Sequence, residues 1–276
     1  MKVGVWFYGL GTVLAGILDI AWGAFDASHQ PIQSLGSHLP GQHILAYVAG
    51  VWLVAAGLAI LRQRTARIGT AACGIIYLMI AALWLPRYYT GIHAHGWQIG
   101  VLVGATFGLA QQLMLIAPAV ILYTSAASPN SPSQKRAALA ARWMLGLPPA
   151  FFGFAHLIGL SVFARFVPHW MPFAYFWAMF TGIAFFLAGV AICSGIKDIL
   201  AARLLALMLL LFEVLVEIPP VFSHAHSQAA WAAAVYNLAA IGACLIFAAF
   251  LLSRADPERI APAEHIALSP TGPVVA

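Results

Sequence analysis

Charge is what this sequence lacks most. Only 8% of its 276 residues are Asp, Glu, Lys or Arg, while 63% are apolar. Soluble domains carry about a quarter charged residues, so the deficit excludes an ordinary water-soluble fold and leaves a polytopic membrane protein in contact with the lipid bilayer. Cysteine is also scarce. Cys73, Cys193 and Cys244 lie singly inside apolar runs and no C-x-x-C occurs, which argues against a disulfide scaffold or dithiol centre and leaves buried structural thiols. There is no Gly-rich phosphate loop, nucleophile elbow or soluble catalytic segment. The net charge of +5 is no sign of nucleic-acid binding, because in a membrane protein Lys and Arg report orientation.

What is abundant is unbroken apolar chain. A helix needs about 20 apolar residues to cross the hydrocarbon layer, and eight stretches supply them: Val3–Phe25, His43–Leu61, Ile68–Pro86, Gln98–Thr124, Trp143–Phe163, Phe173–Ser194, Ala201–Ile218 and Ala229–Leu252. A barrel would need alternating segments of about ten residues instead. The fold class is therefore all-α, with eight transmembrane helices. The first apolar run has no small-residue cleavage site after it and reads as a span rather than a removed signal. Trp6, Trp22, Trp84, Trp97, Trp143, Trp170 and Trp231 fall near span ends, as an interfacial belt requires.

The connections sort by charge. Lys2, Arg62, Arg64, Arg67, Lys135, Arg136, Arg142, Lys197, Arg203, Arg254 and Arg259 share one side, leaving Arg87 and Arg165 on the other. The positive-inside rule then puts both termini in the cytoplasm. The stretch Ser125–Gln134, rich in Ser and Pro, reads as a linker. It divides the chain into a first four-helix unit (1–124), a cytoplasmic linker (125–142), a second four-helix unit (143–252) and a Pro-rich cytoplasmic tail (253–276).

The two units match each other. A shift of 132 sets Pro40 on Pro172, Ala46 on Ala178, Gly50 on Gly182, and Ala56-Gly57 on Ala188-Gly189. Upstream, a shift of 130 sets Gly23 on Gly153 and Asp26 on His156; downstream, small gaps bring Pro86 to Pro219 and Gly108 to Gly242. Four spans per unit is an even number, so the repeats are parallel, related by a pseudo-twofold along the membrane normal. The small residues of the second span are packing residues that let helix backbones approach.

Gly153-Phe154-Ala155-His156-Leu157, then Phe163 through Pro172, then Trp177 through Gly182 to Ala188-Gly189, resemble the DoxX-like family of four-helix membrane proteins. The resemblance covers most of the second unit. It thins in the first, where His156 becomes Asp26 and the Val-Pro element is reduced to Leu39-Pro40. It implies a four-helix module of the bacterial cytoplasmic membrane. Some relatives are associated with quinone-linked sulfur oxidation or oxidative-stress complexes. It carries no catalytic residues over to this chain.

Nine of the ten histidines fall on the side opposite the basic residues: His29, His38, His43, His93, His95, His156, His169, His224 and His226, leaving His265 in the tail. Two His-Ala-His turns, His93–His95 and His224–His226, follow prolines at the ends of apolar runs. Extended, each turn would point both rings to one side, and His93, His95, His224 and His226 together would offer zinc or copper four nitrogens. Histidines that simply tolerate headgroups and water are the plainer account.

Four acids lie within spans. Asp19 and Asp26 are seven apart, and Glu213 and Glu217 four apart, so each pair shares a helix face. Ionised carboxylates in hydrocarbon cost about 3 kcal/mol on insertion scales, so they face the interior or a wet cavity. Asp26 and Glu217 lie near enough to the boundary for hydration alone. Asp19 and Glu213 are deeper, with His156 as a natural partner for one of them; a polar latch that only fixes packing is the alternative. Gln111, Gln112 and Asn237 are explained by interhelical hydrogen bonds.

Three functions follow. A redox-linked subunit would meet a quinone or similar lipid-phase molecule, with Asp19, His156, Glu213 and Glu217 exchanging protons and a partner redox protein bringing electrons. A transition-metal-binding or transport protein would use the His-Ala-His imidazoles with His38, His43 or His169. A non-catalytic scaffold subunit would need neither.

Overall fold

The computed structural model describes residues 1–26, 41–128 and 131–255; His29, His38, Leu39-Pro40 and His265 lie outside these. Among the described residues every regular element is helical: α1 (Lys2–Trp22), α2 (Gln42–Leu61), α3 (Ala66–Trp84), α4 (Pro86–His95), α5 (Ile99–Thr124), α6 (Pro132–Ile158), α7 (Leu160–Phe163), α8 (Ala174–Ser194), α9 (Asp198–Phe212), α10 (Ile218–Ser223) and α11 (Gln228–Ala255). Helices satisfy every backbone group within one segment, as hydrocarbon demands. Seven apolar helical runs are long enough to cross a membrane, α3–α4 and α9–α10 each counting as one. The bent pair of α6 with Leu160–Phe166 makes eight. The chain is an all-α integral membrane protein.

Three boundaries differ from the sequence reading, each for a local reason. The third span does not stop at Pro86. Proline is tolerated in the first turn of a helix, where its missing N–H is not needed, and Pro86 opens α4 while the span runs on to His95. The seventh passes Pro219 and Pro220 by widening into a π-helical stretch over Glu213–Glu217. Inserting a residue in this way relieves the clash of each ring with a preceding carbonyl. The linker is shorter than expected, because α6 already begins at Pro132. The Ser131 hydroxyl accepts from Gln134 N at 3.3 Å, and Gln134 Nε2 donates to Thr124 O at 2.8 Å and Ala127 O at 3.1 Å. Gln134 thereby satisfies carbonyls that the end of α5 leaves orphaned. The fifth span is not straight either: it turns through 94° after Gly159, and Leu160–Phe166 lies across its end.

The spans pack as a closed circuit: α1 on α2, α2 on α3, α3 on α5, α5 on α6, α6 on α8, α8 on α9, α9 on α11, and α11 back on α1. The two central helices α5 and α11 also touch. Because lipid tails are as apolar as the helices, tight backbone approach holds such a bundle together. A Cβ on Gly242 of α11 would stand 2.3 Å from Tyr8 N of α1. Between α6, α8 and α9, Arg142 Nη2 pairs with Asp198 Oδ2 at 2.8 Å, and Nη1 donates to Ile192 O at 3.0 Å.

Candidate functional site

Along α1, Tyr8, Thr12, Ala15 and Asp19 follow one another at spacings of four, three and four, which puts them on one face. All four are buried, Asp19 fully so. The helix ends at Gly23, whose φ of 58° is the left-handed cap glycine adopts without strain. The chain then doubles back, and Asp26 N–H donates to Asp19 Oδ1 at 3.0 Å. Gln228 Nε2 at the start of α11 donates to Ala24 O at 2.9 Å, and His43 Nδ1 donates to Gly23 O. These bonds pin the turn against α2 and α11. Asp26, which the sequence allowed to be merely hydrated, is 2% exposed.

Beneath the carboxylates runs a set of hydroxyls. Tyr77 of α3 donates to Thr12 Oγ1 at 3.4 Å, and Thr12 donates to Tyr8 O at 2.9 Å. Tyr8 donates to Leu115 O at 2.7 Å, with Cys73 Sγ at 3.1 Å from its oxygen. Polar groups this deep persist only when hydrogen-bonded. Asp26, Tyr77, Ala15, Leu115 and Tyr236 line an internal chamber of about 10 Å³, room for about one water molecule.

Tyr236 also lines a second space. Between the first halves of α5 and α11, a cavity of about 390 Å³ is bounded by Trp84, Gly104, Phe107, Gly108 and Gln111 on one side. Ala229, Ala232, Ala233 and Tyr236 bound it on the other. Its volume falls within the roughly 300–1,000 Å³ typical of small-molecule sites. The Trp84 indole sits flush on Gly108, where a Cβ would come 2.2 Å from the ring, and Arg87 stands over its face at 4.4 Å.

The remaining sequence candidates lie apart from this chamber. Glu213 begins the π-helical stretch and accepts from Asn237 Nδ2 at 2.9 Å; the same nitrogen donates to Leu209 O at 2.7 Å. Asn237 is thus the interhelical bond expected of it. Glu217 is half-buried on the same stretch. His156, expected to pair with Asp19 or Glu213, instead donates from Nδ1 to Phe152 O at 2.8 Å and stacks on Phe163, ring centroids 3.7 Å apart. The main-chain carbonyl only accepts, which fixes the proton on Nδ1.

A matching of places appears here that differs from the sequence alignment. Gly16 presses on Gly50 O of α2, and Gly153 presses on Gly182 O of α8, where their Cβ atoms would come within 2.4 and 2.5 Å. Three residues later stand Asp19 and His156, whose Cβ atoms lie 3.3 and 2.7 Å from where a side chain on Gly50 or Gly182 would begin. His156 and Asp19 thus stand at like positions relative to these two glycine contacts. Gly23, aligned with Gly153 by sequence, is a left-handed helix end, whereas Gly153 lies within α6, packed on α8.

The His-Ala-His segments are not the extended pair expected. His93 and His95 are the last turn of α4, where successive alternate residues diverge by about 200°. His224–His226 form an exposed turn, with Ser223 Oγ bonded to His224 Nδ1 at 2.9 Å and Trp231 Nε1 donating to Ala225 O at 2.9 Å. Among the described residues no three His, Cys, Asp or Glu side chains form a group that could hold a metal ion. His93, His95, His224 and His226 are accordingly not gathered into one.

Sequence reasoning passed over Tyr77, Tyr236, Thr12 and Tyr8. The spacing of Tyr8, Thr12 and Asp19 was visible along α1; nothing in the sequence brings Tyr77 and Tyr236 to them. No protein-family model, curated protein or solved structure matches this chain.

Proposed function

We propose that this chain is a DoxX-like, redox-linked subunit of the bacterial cytoplasmic membrane, built from two parallel four-helix repeats with both termini in the cytoplasm. In this reading it meets a quinone or a similar lipid-phase molecule in the half of the bilayer opposite the termini. Asp19 and Asp26 with Tyr77 hold and pass the two protons taken up when a quinone becomes a quinol, and a partner redox protein supplies the two electrons. Glu213, Glu217 and His156, candidates by sequence, serve helix packing instead.

The observation that carries the reading is a buried carboxylate, Asp26, lining a chamber whose Tyr236 wall also faces a ligand-sized cavity, with the buried Asp19 carboxylate bonded to the Asp26 main chain. Carboxylates removed from water are costly and mark function in membrane proteins, and a positioned acid–base group is what proton-coupled chemistry needs. The duplicated contacts Gly16–Gly50 and Gly153–Gly182 support the two-repeat reading, and the one-sided basic residues support the orientation.

The test is one purified sample in nanodiscs, divided for lipid extraction, an optical spectrum and metal analysis. About one quinone per chain, lost in Asp19→Asn with Asp26→Asn, is the expected result. One transition metal per chain without quinone would replace this reading with metal binding. Neither quinone nor metal would leave a scaffold subunit.

A further inference from the structure

We propose that the cavity between α5 and α11 is a binding site for a neutral, lipid-phase molecule bearing a hydrogen-bond-accepting oxygen, and that the Tyr236 hydroxyl is its donor. This rests on the functional reading above and gives it a place and a recognition chemistry.

Charge decides the class of occupant first. Among the described residues, no Asp, Glu, Lys or Arg lines the cavity, the Arg87 guanidinium standing over the Trp84 ring without being one of its walls, so a charged headgroup inside it would meet no lining charge. The walls are apolar: Trp84 and Phe107 line the cavity together with the small residues Ala229, Ala232 and Ala233. Gly104 leaves a slot, with nothing among the described residues within 4 Å of where its Cβ would stand. A planar apolar body fits such walls.

The polar end is set by Tyr236. Its hydroxyl donates to Met114 Sδ at 3.6 Å, and a thioether is among the weakest acceptors a protein offers. An oxygen acceptor arriving from the lipid would take that hydrogen bond from sulfur, at a site where competing water is scarce. Tyr236 is also the residue common to the cavity and to the chamber of Asp26 and Tyr77. Tyr236 is thus the polar side chain through which an oxygen held in the cavity adjoins the chamber lined by Asp26.

The experiment uses the full chain in nanodiscs and, as probe, a benzoquinone carrying a ten-carbon tail, with binding read by quenching of tryptophan fluorescence. Displacement is compared between the unlabelled quinone and an alkylbenzene of equal tail length lacking carbonyls. The expected result is that Gly104→Leu weakens binding about tenfold or more by filling the slot. Tyr236→Phe weakens it about threefold to tenfold, the worth of one hydrogen bond, and the alkylbenzene displaces poorly. Ala229→Leu, on the opposite wall, is the second filling variant should Gly104→Leu fail to assemble. Quinone binding unchanged by both filling variants would overturn the site while leaving the lipid-phase reading intact. Binding lost on filling but unchanged in Tyr236→Phe would overturn the donor assignment. A wild-type protein that binds no quinone would overturn both this site and the function it rests on.

Discussion

Asp19 and His156 occupy the same kind of place in two helix pairs, and the surroundings put them to opposite uses. Each stands three residues past a glycine wedged against the neighbouring helix, at Gly16 on α2 and Gly153 on α8. At Asp19 the helix ends soon after, at Gly23, and the chain returns to offer a main-chain N–H to the carboxylate. At His156 the helix also ends within a turn, at Ile158, but the ring turns its proton onto its own helix, and Phe163 covers its face. A carboxylate has only acceptors and must draw donors to itself, so a polar chamber grows around it. An imidazole can satisfy one nitrogen locally and present an aromatic face to apolar packing. One side chain draws a main-chain donor to itself and the other packs as an aromatic ring.

The strongest way to break this comparison is at the glycines. Gly16→Leu and Gly153→Leu both force a side chain into main-chain atoms of the neighbouring helix, beyond the 1–3 kcal/mol typical of overpacking. Both are expected to abolish a monodisperse folded peak in detergent gel filtration. A variant pair in which one survives would show the two places to be unlike. Next in size, Asp19→Ala leaves the buried Asp26 N–H without its acceptor, a loss of about 1–3 kcal/mol. His156→Phe keeps an aromatic ring and costs less than about 1.5 kcal/mol. Thermal unfolding in a single detergent checks the order, and the reverse order would assign the polar role to His156.

Asn237→Ala sharpens the contrast at α11. It removes the bonds to Glu213 and Leu209 and is expected to cost about 0.6–1.7 kcal/mol, the range of interhelical hydrogen bonds in membranes, while leaving quinone content unchanged. A loss of bound quinone in this variant would bring Glu213 back as a site residue. The smallest effect belongs to the histidine turns. His93→Ala with His95→Ala changes exposed side chains and should shift stability within about 0.5 kcal/mol, with no change in metal content by elemental analysis.

The matching of the two units from sequence sets Gly23 on Gly153, two glycines that do different jobs in the structure. Gly50 and Gly57 with Gly182 and Gly189 are in step because both pairs lie inside second helices of equal register. Gly16 lies six residues before the end of α1 at Trp22 and Gly153 five before the end of α6 at Ile158, so matching Gly23 to Gly153 compared a helix cap with a glycine inside the last turns of a helix. Residue identity alone cannot tell a glycine chosen for close approach from one chosen for a left-handed turn. The π-helical stretch before Pro219 and the bend after Gly159 were equally invisible, because each depends on what the neighbouring helices allow.

The sequence by itself determined the class of solvent, the helical spans and the presence of costly intramembrane acids. Those follow from transfer free energies, which are sums over local composition. Only the tertiary structure decided which acids have company. Tyr77 reaches Asp26 from the third span, Tyr236 reaches the same chamber from the last, and His156 is taken out of the cluster by its own helix and Phe163. Hydrogen bonds act over about 3 Å, and residues more than a hundred positions apart come within that distance only once the helices have packed.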